Sequence, residues 1–286
     1  MLNEEKLRAE IVEIGQRLHS KSYVASNDGN ISVKLDHERL LTTPKGVSKG
    51  FMTPDMLVTT DLGGNRLTGD REPSSELLMH IAVYQNRPEI AAVVHAHPPT
   101  ATGFAVAGIP LNRAILAEVI TTLGSIPIAD YGTPSTHELA DAVRKHIKTH
   151  DGLLLANHGA LTVSDELFSA YYKMETIEHF ARISLVARTL GGERLLSREE
   201  VMRLQDLRGM YGIAAPAPIC PDPDTSDNEE DDCQVVEAPS SLGQQVVTGG
   251  NDTKLNAQLG KDDEIRLTYR ELLTLVEDAV KQLRED

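Results

Sequence analysis

Cysteine is almost missing from this 286-residue chain, and basic residues are scarce. Only Cys220 and Cys233 are present, both in a polar, proline-rich and acidic stretch. That excludes a disulfide framework and a thiolate metal site, and it fits a reducing cytoplasm. Lys and Arg number 28 against 43 Asp and Glu, a net charge of −15. Without clustered cations the chain is not built to bind polyphosphates, so no general nucleic-acid partner is expected. No apolar run approaches the roughly 20 residues that span a bilayer. The start, Met1-Leu-Asn-Glu-Glu-Lys6, is charged and lacks an apolar h-region, so neither a membrane partner nor a secretory signal is expected. What is present is enough length for one substantial core, and a pointed use of histidine.

His95 and His97 stand in Ala91-Ala-Val-Val-His-Ala-His-Pro98, and His158 in Leu153-Leu-Leu-Ala-Asn-His-Gly159. An apolar run ending in His-x-His reads as a strand, where alternate side chains share a face. His95 and His97 can therefore bind one ion together. Three histidines with an open position form the pattern of a catalytic zinc site. The plain alternative is a pair of hydrogen-bonded histidines at a strand end. The third histidine, after another buried-looking strand, and the Pro73-Ser-Ser-Glu76 segment upstream favour the metal.

Around these residues the pattern predicts a helix over 4–20, with Leu7, Ile11, Ile14 and Leu18 on one stripe. After the turn cluster Ser26-Asn-Asp-Gly-Asn30 it predicts a hairpin, 31–35 with 39–43, and a third strand over 57–61. A serine of Pro73-Ser-Ser-Glu76 is expected to cap a helix over 76–86, with Glu76 in its first turn. Further helices are expected over 100–107, from 136, over 165–190 and over 197–210, and a strand over 152–157. The early strands pair as hairpins and no strict strand-helix-strand rhythm follows, so the expected class is α/β: a mixed central β-sheet with helices on both faces.

With Glu76, His95, His97 and His158 in place, the sequence resembles the class II aldolase and adducin family, nearest its fuculose-phosphate aldolase branch. The landmarks stand in order: Gly29-Asn-Ile-Ser32, Thr43-Pro-Lys-Gly46, Pro73-Ser-Ser-Glu76, Val94-His-Ala-His-Pro98 and Asn157-His-Gly-Ala160. The resemblance implies a class II aldolase-like catalytic domain over 1–212. It implies one Zn2+ held by His95, His97 and His158, with Glu76 as resting fourth ligand and acid/base. It implies phosphate binding by Gly29, Asn30, Lys45, Gly46, Ser74 and Ser75, with a phosphorylated sugar as substrate. Tyr211 is implied as a proton donor, and a homotetramer as the assembly. The implied reaction is cleavage of a deoxy-ketose 1-phosphate, such as L-fuculose 1-phosphate or L-rhamnulose 1-phosphate, to dihydroxyacetone phosphate and lactaldehyde. Other divalent metals suit the same histidines.

Two departures bear on the substrate. The segment Leu111-Asn-Arg-Ala-Ile-Leu-Ala-Glu118 lacks the aromatic that the aldolase branch carries there. Ser-Ser-Glu stands where ribulose-phosphate 4-epimerases usually have Ser-Ser-Asp, which favours a lyase. A methylthioribulose-phosphate dehydratase, with a similar metal core, is a further alternative. A non-catalytic adducin-like binding module would normally have lost ligands, and all four are present.

Composition changes beyond Gly212. Eight acidic residues and no basic one lie from Pro221 through Glu237, too little apolar surface to offset ordering entropy. Residues 213–262 are therefore expected to be a disordered linker. In 263–286, Thr268-Tyr-Arg-Glu271 reads as a capping box before an amphipathic helix carrying Leu272, Val276, Ala279, Val280 and Leu283. Such a helix on a long linker resembles the encapsulation peptides that bind microcompartment shell proteins, and the resemblance implies a bacterial microcompartment lumen as a location within the expected cytoplasm. Docking onto its own catalytic domain and an assembly contact with another enzyme are the alternatives.

Overall fold

The computed structural model describes residues 4–210. Helix α1 (Glu4–Ser20) turns Leu7, Ile11, Ile14 and Leu18 inward, the stripe its spacing predicts. Strands β1 (Asn30–Lys34) and β2 (Arg39–Thr42) form the expected antiparallel hairpin, and β3 (Val58–Asp61) pairs antiparallel with β2. β4 (Arg66–Thr68) follows the Asp61–Asn65 turn; all three of its residues are exposed, so no apolar alternation marks it in the sequence. Then come α2 (Leu77–Asn86), β5 (Ala92–Ala96), α3 (Pro99–Ala107), α4 (Ala117–Thr122), β6 (Ile128–Ala129) and α5 (His137–His146). β7 (Gly152–Leu155), β8 (Gly159–Ser164), α6 (Leu167–Thr189) and α7 (Arg198–Met210) complete the order.

The eight strands form one sheet in the order β4-β3-β2-β1-β5-β8-β7-β6. Only β6 and β7 are parallel among the described strands, so the sheet is mixed as expected, and largely antiparallel. Its two faces are covered separately. Ile31, Val33, Leu41, Val94 and Leu154 meet α1, α3 and α6 on one side. Leu40, Val93, Leu153, Leu155, Leu161 and Val163 meet α2 and α5 on the other. Each fully buried Val, Leu or Ile contributes roughly 1.5–3 kcal/mol relative to exposure. Because side chains alternate, a one-residue slip of β5 would exchange Val94 for His95 between the faces, so the same burial that holds the sheet fixes where His95 points.

Candidate active site

Asn30 pairs with His95 across β1 and β5, and Ala96 pairs with Ala160 across β5 and β8. The start of β1, the end of β5 and the start of β8 therefore meet at one end of the sheet. His95 is fully buried there. A carbonyl oxygen only accepts, so its contact at 2.9 Å from Ala160 O to His95 Nδ1 places the ring proton on Nδ1. Nε2 then offers its lone pair to the gap. His97 lies one residue beyond the strand, fixed by its backbone N–H donating to Tyr23 O at 2.8 Å. His158 sits in the turn between β7 and β8, which Asn157 enters in the left-handed region at φ 55°, a conformation asparagine tolerates.

The three rings stand almost symmetrically, with centroids 4.9, 4.8 and 4.9 Å apart. Nε2 of His95 and Nε2 of His97 are 3.1 Å apart. Gly159 makes this possible: a Cβ there would stand 2.5 Å from Cδ2 of His97 and 2.6 Å from the Ala96 carbonyl oxygen. Burial pushes the His95 imidazole well below its ordinary range and the His97 imidazole below it too, which keeps both neutral, the form that binds metal. Asp28 Oδ2 lies 3.6 Å from Nδ1 of His97 and orients that ring from behind.

Glu76 faces the same point. It is the residue before α2 rather than part of the first turn, and its backbone N–H donates to Ser74 Oγ at 3.3 Å. Ser74 is thus a partner of Glu76 and does not cap α2 directly. Glu76 Oε2 accepts from Asn30 Nδ2 at 2.7 Å and lies 3.4 Å from His95 Nε2, while Oε1 lies 3.2 Å from His158 Nε2. Burial opposes its ionisation, but His95, His158 and the Asn30 amide hold the carboxyl well below the usual range. One nitrogen from each of the three histidines lies within 4.8 Å of the others. Three imidazoles, one backed by a carbonyl, with a carboxylate opposite, fit a divalent cation.

The cluster opens into a cleft of about 350 Å³, lined by Gly29, Asn30, Lys45, Gly46, Ser74 and Ser75 as well as Glu76, His97 and His158. All six residues expected at phosphate meet there. The Thr43–Gly46 and Pro73–Glu76 loops are tied by Ser74 N–H to Thr43 O at 3.1 Å and Lys45 N–H to Glu72 O at 2.9 Å. Gly29 is required at φ 72°, since a Cβ would meet Val24 Cγ1 at 2.6 Å and His95 O at 2.9 Å. The cleft also includes Asp28, Lys49, Pro134 and Ser135, which the motifs do not single out. Asp28 lies inside the turn cluster the sequence marks; Lys49 lies three residues past the Thr43–Gly46 motif that carries Lys45. Lys45 is exposed, whereas Lys49 is buried and burial pulls its ammonium down to about 8, against Asp28 and Glu76. Tyr211, the linker over 213–262 and the helix over 263–286 lie outside the described residues.

The Class II Aldolase and Adducin N-terminal domain family matches residues 9–185, the span that holds every cleft residue. The chain belongs to the class II aldolase and adducin family. A Methanococcus maripaludis protein named L-fuculose phosphate aldolase is 34% identical over 181 residues, 63% of this chain and 97% of its own length. A Haemophilus influenzae protein named 3-oxo-tetronate 4-phosphate decarboxylase is 31% identical over 202 residues, 68% of this chain and 94% of its own. Among solved structures, an L-fuculose 1-phosphate aldolase matches with a TM-score of 0.66 at 30% identity, over 71% of this chain and 95% of that one. The fold is that of the class II aldolases. Members of this family are typically metal-dependent, and the three-histidine cluster is where this chain would hold an ion.

Proposed function

We propose that this chain is a zinc-dependent aldolase that cleaves a deoxy-ketose 1-phosphate, such as L-fuculose 1-phosphate or L-rhamnulose 1-phosphate, to dihydroxyacetone phosphate and lactaldehyde. The observation that carries the reading is the convergence of Glu76 with three imidazoles at the end of a cleft lined by small hydroxyls and glycine turns. His95, His97 and His158 would hold the ion, with Glu76 as a resting fourth contact. A divalent ion there supplies Lewis-acid stabilisation of the negative charge that develops on oxygen as the bond beside the carbonyl breaks.

The protein's own part is binding and proton movement. Gly29, Asn30, Lys45, Gly46, Ser74 and Ser75 receive the phosphate through backbone N–H groups, hydroxyls and one ammonium. Holding the phosphate at one end of the cleft brings the reacting carbons beside Glu76 at the other. The C4 hydroxyl loses its proton and becomes the aldehyde carbonyl; the C3–C4 pair passes toward the C2 oxygen. Glu76 then returns a proton to C3, completing dihydroxyacetone phosphate. Tyr211 is assigned to the proton on the aldehyde oxygen by the family resemblance alone. Wild-type turnover in Tyr211→Phe would remove that assignment.

The Haemophilus influenzae relative supports a second reading, decarboxylation of a 3-oxo-tetronate 4-phosphate. There carbon dioxide leaves, the electron pair passes to the 3-oxo oxygen, and Glu76 protonates C2. Both reactions need the same carboxylate and phosphate cradle, and they differ in the leaving fragment. Dihydroxyacetone phosphate is the product of both, so purified, zinc-loaded protein offered each phosphorylated substrate is read on the other fragment: lactaldehyde release from the deoxy-ketose 1-phosphate supports the aldolase, and carbon dioxide release from the 3-oxo-tetronate 4-phosphate without lactaldehyde formation from the ketose supports the decarboxylase. The encapsulation reading of 263–286 rests on sequence pattern and concerns where the enzyme works. A reporter fused to that segment that stays diffuse beside assembled shells would end it.

A further inference from the structure

Lys49 opens a short 3-10 turn, Lys49–Phe51, packed on α1 where Gly15 leaves room: a Cβ at Gly15 would stand 2.7 Å from the Lys49 carbonyl oxygen. Its side chain runs inward to the cleft floor and is 1% exposed. Nζ donates to Asn27 O at 2.9 Å and to Val47 O at 2.7 Å. These two carbonyls flank the cradle, Asn27 just before Gly29 and Val47 just after Gly46. Among the described residues no carboxylate stands within ion-pair distance of Nζ; Asp28 and Glu76 act on it from farther away. A fully buried lysine is rarely found without a paired anion, because desolvating the ammonium is costly. A neutral amide could hold two carbonyls as well. The charge therefore calls for an anion that the protein itself does not place beside it.

We propose that Lys49 is the buried cation of the phosphate subsite: it holds the Asn27–Asn30 and Lys45–Val47 loops at the separation a phosphate monoester needs, and its charge draws the dianion to the cleft floor. Lys45, exposed at the rim, is secondary to it. Lys49 acts as a positioning and electrostatic residue; the backbone N–H groups and hydroxyls make the contacts. This assignment rests on the phosphorylated-substrate reading above.

The test uses the full-length, zinc-loaded protein near neutral pH, with inorganic phosphate as the probe in isothermal titration calorimetry. Lys49→Gln keeps two N–H donors and removes the charge; Lys49→Arg keeps the charge; Lys49→Met removes both. Lys49→Gln and Lys49→Met are expected to weaken phosphate binding by about tenfold or more with zinc stoichiometry unchanged. Lys49→Arg is expected to stay within about threefold of wild type. Turnover should show KM for the phosphorylated sugar rising more than kcat falls. If Lys49→Met does not fold, the Gln and Arg variants decide the question. Wild-type affinity in Lys49→Gln, with phosphate bound by the parent, overturns the Lys49 assignment alone. Absence of phosphate binding by the parent overturns the phosphorylated-substrate reading, and the Lys49 assignment falls with it.

Discussion

Gly159 decides how closely two of the histidines can stand. Any side chain there must push His97 or the Ala96 carbonyl away, since its Cβ would lie 2.5 and 2.6 Å from them. Gly159→Ala is expected to weaken zinc binding by roughly 10–100-fold, as loss of an outer-shell support typically does, measured by competition with a chromogenic chelator. Unchanged zinc affinity would mean that the rings re-form the site around a methyl group. The four chemical groups themselves were legible in the sequence because each is a strong ligand or acid/base type next to an apolar run or a helix start. Their supports were not. Asp28 behind His97 and Lys49 beneath the cleft depend on contacts with distant segments, and neither follows a local period.

At the scale of elements, most boundaries follow local signals. Helix α1 and the β1–β2 hairpin form where apolar spacing and turn residues place them. Strand β8 does not appear in the sequence reading, which runs one strand to Asn157 and stops. The structure ends β7 at Leu155 and folds the chain back through Asn157 and His158 into β8. A turn with a left-handed asparagine between two apolar runs is a hairpin signal, but the histidine in it reads first as a ligand. Strand β6 is two residues long and takes its pairing from β7, so no local pattern announces it.

Asp151, just before β7, joins elements from both faces of the sheet. Its carboxylate meets Arg87 Nη1 at 2.5 Å, at the end of α2, and Lys173 Nζ at 2.7 Å, on α6. Burial pushes Asp151 up, but Lys173 and Arg87 outweigh it and hold the group below the usual aspartate range. A depressed folded pKa stabilises the protein above the unfolded value, near about 4, and that contribution is lost as pH falls through the folded one. Asp151→Asn is expected to cost about 1–3 kcal/mol at neutral pH, because Arg87 and Lys173 both lose a charged, buried hydrogen-bond partner while Arg87 keeps Glu89 at 2.7 Å. Denaturant unfolding should show the gap between variant and parent narrowing below about pH 4. A constant gap across that range would assign the loss to packing instead.

For the whole molecule, the fold class was legible because hairpin signals early in the chain and helical stripes later exclude a purely parallel design. The assembly of the site was less so. Segments far apart in sequence that hold Asn30, His97 and Gly159 are brought to one sheet end by the antiparallel pairing of β1, β5 and β8, and Glu76, before α2, joins them through its hydrogen bond from Asn30. Pairing partners are set by tertiary packing, and the motifs announce that their residues belong together without saying how. In the proposed mechanism Glu76 moves protons beside a metal held by His95, His97 and His158. The most direct test is release of dihydroxyacetone phosphate from L-fuculose 1-phosphate by parent protein, chelator-stripped protein, zinc-restored protein and Glu76→Gln. Turnover is expected to be lost on stripping and recovered with zinc, and Glu76→Gln to retain zinc with turnover down about 10² to 10⁴-fold. Full turnover by the stripped protein, or by Glu76→Gln, would contradict the mechanism.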